Sequence, residues 1–160
     1  MKKFMVGILA MMMLVGSLFA EEIVIFEPGV TPAKGGKVVE IDGTKYFQIK
    51  CYGYDTSFKV PGVDLSKCKE FEATVYVDKP NEGFQAVIGI KDKNYNDIAS
   101  PTVVGLKVEA QTVKVEHAVQ ESWNTLSKTD FCEMIQPMVQ DTKAFNPKNY
   151  TLYIGKIVAR

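Results

Sequence analysis

From Glu70 to Asp78 the chain alternates, with Phe71, Ala73, Val75 and Val77 on one side and Glu70, Glu72, Thr74, Tyr76 and Asp78 on the other. A period of two with one apolar side marks a half-buried strand whose apolar face needs a second layer. Ahead of it, the chain from Pro61 reads as loop and Asp64 to Lys67 as a short turn. The same pattern recurs along the chain. Residues 21–27 form a short strand, and Lys37 to Ile41 and Lys45 to Tyr52 form a hairpin around Asp42-Gly43. Asp-Gly between apolar runs is a strong hairpin signal because both turn positions need positive φ.

Ser57 to Val60 reads as a further short strand, and Pro80 to Gly83 as a turn. Phe84 to Asp92 alternates again, with Phe84, Ala86, Ile88 and Ile90 together. Lys93 to Pro101 is a polar loop, and Thr102 to Glu109 and Thr112 to Val119 are strands turning near Ala110-Gln111. Trp123 to Leu126, Ile135 to Val139 and Tyr150 to Ala159 complete the set, with Thr142 to Asn149 as a loop. Pro137 argues against a helix in the Met134 to Val139 run. Nine or ten short strands with regular turn signals and no helical segment predict an all-β fold, an antiparallel β-sandwich.

Composition narrows the function. With 19 Lys+Arg against 19 Asp+Glu, the formal charge is zero, which argues against a nucleic-acid partner. Residues 1–20 differ from the rest. Lys2 and Lys3 precede an apolar run from Phe4 to Phe19, and Ala20 precedes Glu21-Glu22. This is the layout of a secretory signal peptide, and about 16 apolar residues fall short of the roughly 20 that span a bilayer. The expectation is an exported protein, periplasmic or extracellular, with residues 21–160 as a single domain and no membrane span after cleavage. In an exported chain one pair among Cys51, Cys68 and Cys132 can be oxidised. Cys51–Cys68 is one of three pairings, and three buried small hydrophobes is the plainer reading.

Two segments carry a family resemblance. GVDLSKCKEFEATVYVD (residues 62–78) looks like the "DLSKYKTLSFWVY" strand of galactose-binding-like jelly rolls. The C-terminal part, from Trp123 through IQPMVQ to YTLYIGKIVAR, resembles their closing strands, and FEPG near Glu27 adds to the match. The superfamily includes bacterial carbohydrate-binding modules and exported structural proteins, among them sheath subunits of periplasmic flagella. The resemblance thus implies a jelly-roll sandwich that binds a polysaccharide or other glycan, or alternatively a structural protein with an envelope protein partner. Many such modules hold a structural Ca²⁺ between an acidic residue near the first strand and an Asp in the last. Glu27 matches the first position, but Gly155 followed by Lys156 stands at the second, removing a carboxylate and adding an opposing charge. No cofactor is expected, and calcium at Glu27 is the one metal that the resemblance leaves open.

The candidate binding residues are aromatic. Sugar rings stack their C–H faces on aromatic side chains while polar groups take the hydroxyls. Tyr46, Tyr52 and Tyr76 fall on the polar faces of their strands, Tyr54 and Tyr95 fall in loops, and Trp123 is the sole tryptophan. Gln48, Lys50, Glu72, Thr74 and Gln85 are polar neighbours on similar faces. For each tyrosine the plainer reading is packing under a loop or across strands, and Trp123 falls at a position that is core in the resemblance. Catalysis has weaker support. The single histidine, His117, lies on an apolar face, and no nucleophile elbow, zinc motif or phosphate loop occurs. Glu70/Glu72 and Glu109/Glu116 are scattered carboxylates whose separation sequence does not give. The chain is therefore expected to be non-catalytic.

Overall fold

The computed structural model describes residues 21–116 and 130–160. Among them are eleven strands: β1 (Ile23–Phe26), β2 (Lys37–Ile41), β3 (Thr44–Cys51), β4 (Phe58–Asp64), β5 (Glu70–Tyr76), β6 (Asn81–Lys91), β7 (Asp97–Ala99), β8 (Thr102–Leu106), β9 (Gln111–Glu116), β10 (Phe131–Asp141) and β11 (Tyr150–Ala159). Six form one antiparallel sheet in the order β2-β3-β11-β5-β9, with β1 also on β11. Five form a second sheet in the order β4-β10-β6-β7, with β8 also on β6. Their inner faces share one core, so the fold is the predicted antiparallel β-sandwich.

The alternating stretch behaves as expected. Phe71, Ala73, Val75 and Val77 are buried in the core, while Glu70, Glu72, Thr74 and Tyr76 are half-buried on the outer side. β11 is the spine of its sheet: β3 pairs with Tyr150 to Ile154, β1 with Ile157 to Ala159, and β5 runs along the opposite edge. Being covered on both edges and both faces, it reads as a nearly continuous apolar run. The Asp42-Gly43 turn forms as predicted, with φ of 49° and 76° at its two central residues.

Several elements depart from the sequence reading. The strand expected to end at Val60 continues to Asp64, because β4 is an edge strand and Pro61 sits at a bulge where no ladder donor is required. The turn expected at Pro80–Gly83 gives way to strand at Asn81, and the loop after Lys93 holds β7. The turn before Gln111 is a corner between sheets, since β8 belongs to one and β9 to the other. The Gln111 side chain holds that corner by accepting from Lys107 N–H at 2.9 Å and donating to the Gly105 carbonyl at 3.0 Å.

β10 is longer than expected and carries Pro137 in its middle. The Ile88 N–H donates to the Pro101 carbonyl at 2.8 Å, so Ile88 and its partner Pro137 form a non-hydrogen-bonded pair across β6 and β10. The missing donor of Pro137 therefore faces the other edge, where pairing with β4 has ended at Ile135.

Cys51, Cys68 and Cys132 are free and buried, and a Cys51–Cys68 bond does not fit the fold. Cys51 lies opposite Tyr150 at one end of β11, whereas Lys69, next to Cys68, bonds the Arg160 carbonyl at the other end. A ten-residue strand separates them. At roughly 3.3 Å per residue that is about 30 Å, against the roughly 7 Å limit for a bridge. Burial pushes the Cys51 thiol up to about 12 and the Cys132 thiol up to about 11. Both belong with the small hydrophobes of the core. Trp123 and His117 lie outside the described residues.

Candidate functional site

The outer face of the six-stranded sheet was the expected site, and its tyrosines do converge. They converge on one another. Tyr76 stands opposite Tyr153 across β5 and β11, with ring centroids 5.7 Å apart and nearly perpendicular. Tyr46 lies 5.7 Å from Tyr76 on the other side, and Gln48 Nε2 donates to the Tyr153 hydroxyl at 2.9 Å. Tyr46 retains only 4% of its surface and Tyr153 only 9%, while Tyr76 is half-buried. Burial raises the Tyr46 phenol above its ordinary pKa, with the nearby Tyr76 and Asp42 adding to it. A sugar has no open ring there on which to stack. Tyr52, at 62% exposure, stands apart at the end of β3.

Farther along that face the charges also pair internally. Arg160 bonds Glu22 at 2.7 Å and Glu72 at 3.1 Å, Lys114 lies 3.1 Å from Glu70 and 3.2 Å from Glu72, and Lys156 pairs with Glu22. Burial opposes the charge on Glu72, but the hydrogen bonds from Lys114 and Arg160 outweigh it and hold the carboxyl below its usual range. Thr74 exchanges a hydroxyl hydrogen bond with Thr112 at 2.9 Å. Glu70, Glu72 and Thr74 are thus committed to their neighbours.

The outer face of the five-stranded sheet is different. A hollow of about 460 Å³ lies across it. The register explains which residues line it. Gln136, Met138 and Gln140 of β10 stand opposite Gly89, Val87 and Gln85 of β6, and Val87 stands opposite Thr102 of β8. Residues directly opposite in an antiparallel ladder share a face. Lys91, Asp97 and Ser100 close one end, and Tyr54 and Phe145 line the hollow as well.

Gly89 keeps the floor low. A Cβ there would come within 2.9 Å of Lys91 Cε and 3.1 Å of the Gln136 carbonyl. Tyr54 and Phe145 stack on one another, with centroids 5.8 Å apart and planes inclined by 26°. They remain 49% and 71% exposed, so ring surface is still offered to solvent. Both are anchored. Gln136 Nε2 donates to the Tyr54 carbonyl, and the loop bearing Phe145 is tied down by Thr142 N–H to the Gly83 carbonyl (2.9 Å) and Lys148 N–H to the Val139 carbonyl (2.8 Å).

The polar lining is almost uncharged. Lys91 and Asp97 neutralise each other at 2.7 Å. Gln85, Gln140, Ser100 and Thr102 offer amides and hydroxyls. Gln140 is 2% exposed, and among the described residues its Oε1 is buried with no hydrogen-bond partner.

Of the residues that the sequence singled out, Tyr54 and Gln85 line this hollow, and Tyr95 lies beside it. The Tyr95 carbonyl accepts from Lys91 Nζ at 3.3 Å, and Tyr95 is 53% exposed with φ of 67°. Gln136, Met138, Gln140 and Phe145 were missed. The one available signal was the Gln-x-Met-x-Gln alternation of residues 136–140, obscured by Pro137 and Val139. Among the described residues no three acidic, His or Cys side chains cluster as metal ligands, and the Lys156 ammonium acts on Glu27 from nearby.

No protein-family model matches the chain. No curated protein matches it. Among solved structures it is similar to a family 6 carbohydrate-binding module (12% identity, 87% of this chain and 92% of that one, TM-score 0.49). Another is a family 6 module of Clostridium stercorarium in complex with cellobiose (10% identity, 87% and 92% coverage, TM-score 0.49). A third is the family 30 module of a cellulosomal cellulase of Clostridium thermocellum (12% identity, 88% and 97% coverage, TM-score 0.47). These neighbours are carbohydrate-binding modules, the class named by the sequence resemblance.

Proposed function

We propose that the protein is a non-catalytic carbohydrate-binding protein that holds a glycan chain in the hollow across β10, β6 and β8. The observation that carries this reading is the stacked Tyr54 and Phe145 pair, with ring surface open to solvent, in a hollow also lined by Gln85, Gln136, Ser100 and Thr102. Gln85, Gln140, Ser100 and Thr102 suit the alternating donors and acceptors of sugar hydroxyls. The Tyr54 and Phe145 rings suit the C–H face of a pyranose. The groove is mutually neutralised at Lys91 and Asp97, which favours an uncharged sugar. Asp97, held by Lys91, serves as an acceptor for a hydroxyl. The n-region lysines and apolar run of residues 1–20 support export to the periplasm or beyond, where polysaccharide is met.

The test is retention on insoluble neutral polysaccharides, with a glycan array in parallel. Retention that is weakened in Gln85→Ala and Phe145→Ala supports the reading. No retention on any neutral glycan contradicts it.

A further inference from the structure

We propose a second site, at the lysine-rich end of the six-stranded sheet, that binds an acidic glycan through hexuronate carboxylates. It is separate from the hollow across β10 and β6 and does not depend on the reading given to that hollow.

Two adjoining hollows lie there. One, of about 590 Å³, is lined by Gly35, Gly36, Lys37, Gln48, Lys50, Tyr52 and Thr151. The other, of about 330 Å³, shares Lys50, Tyr52 and Thr151 and adds Asp78, Lys79 and Asn149 among its walls. The ladder places these groups together: Lys37 stands opposite Gln48, and Lys50 opposite Thr151.

The charge is one-sided. Lys37, Lys50 and Lys79 face a single carboxylate, Asp78, and among the described residues none of the three carries an ion pair. At the far end of the same face Lys114, Lys156 and Arg160 are matched by Glu22, Glu70 and Glu72. Unmatched cations beside a hollow invite an anion.

The remaining lining selects a sugar acid from among anions. Tyr52 is 62% exposed, and its backbone is fixed by a 2.7 Å hydrogen bond from its N–H to Thr56 Oγ1. Its ring offers an apolar face to pyranose C–H groups, while Gln48, Thr151 and Asn149 offer partners to hydroxyls. A single exposed lysine–carboxylate contact is weak, so a chain bearing repeated carboxylates across Lys37, Lys50 and Lys79 suits the site better than one isolated acid.

The experiment is affinity electrophoresis of the full chain in gels containing polygalacturonate. The expected result is retardation at low ionic strength that fades as salt rises. Lys50→Gln should weaken it about threefold and Tyr52→Ala about tenfold. Phe145→Ala, on the opposite face, should leave it unchanged. Both test positions are exposed, and thermal unfolding at the wild-type temperature confirms that the variants are folded. Absence of retardation, or retardation indifferent to Lys50→Gln, overturns the proposal. So does competition by poly-glutamate as effective as that by polygalacturonate, which reduces the effect to general polyanion attraction. Retention by a sulfated glucan but not by polygalacturonate overturns the assignment to carboxylates.

Discussion

The two outer faces of the sandwich are built from the same alternation and end in opposite states. On the six-stranded sheet, outward side chains satisfy one another across much of the face: Tyr46, Tyr76 and Tyr153 pack ring to ring, and Glu22, Glu70 and Glu72 meet Lys114, Lys156 and Arg160. On the five-stranded sheet, outward groups line a hollow beside which Tyr54 and Phe145 keep ring surface open to solvent. A polar face along a strand therefore says nothing by itself about binding. What matters is whether its groups are already occupied by neighbours on adjacent strands.

This contrast can be broken most sharply at Tyr153. It is 9% exposed, packs against Tyr76 and takes a hydrogen bond from Gln48. Tyr153→Ala should destabilise the fold by about 2–4 kcal/mol in urea unfolding while leaving glycan affinity unchanged. Unchanged stability with lost affinity would move the site to that face.

Phe145→Ala should do the reverse. The ring is 71% exposed, so stability should hold within about 0.5 kcal/mol. Affinity for a neutral glycan should fall about tenfold by calorimetric titration. Gly89→Ala places a methyl on the floor of the hollow against Lys91 and the Gln136 carbonyl. It should cost about 1 kcal/mol of stability and reduce affinity severalfold by the same titration.

The smallest effect concerns pH. Glu22 and Glu72 are held below their ordinary pKa by partners on the six-stranded sheet: Lys156 first and then Arg160 for Glu22, Lys114 and Arg160 for Glu72 against its burial. Their folded pKa values are depressed, so their contribution is whole above the unfolded glutamate value of about 4.3 and is lost as pH falls through the lower folded values. Thermal unfolding should therefore decline modestly below about pH 5, with much of the decline removed in Arg160→Gln. Glutamine and aromatic contacts in the hollow do not titrate, so glycan affinity should stay level from about pH 8 down to about pH 5, above the carboxylate range.

How much was legible in the sequence follows from the same contrast. The core side of β5 was plain because Phe71, Ala73, Val75 and Val77 alternate with polar residues. The strand order was not, because pairing joins residues far apart, as when Gln48 meets Tyr153. Tyr46 reads as outward, and it is, but its burial depends on Tyr76, which one strand's period does not show. β10 defeated the reading in another way. Its outward Met134, Met138 and Gln140 are themselves covered, so both faces look apolar and the alternation is blurred. Phe145 sits in a loop whose position is set by bonds to Gly83 and Val139 from distant strands. Tyr54 was legible only as an aromatic in a loop; that it meets Phe145 is a product of the fold.

The most direct test of the central claim is a nuclear magnetic resonance titration of the folded chain with a neutral glycan retained in the binding assay. The expected result is that amide signals of Gln85, Val87, Gly89, Gln136, Met138 and Gln140 shift together and saturate, while those of Tyr46, Tyr76 and Tyr153 stay fixed. Shifts confined to the tyrosine face, or no shift with any neutral glycan while an envelope protein binds, would contradict it.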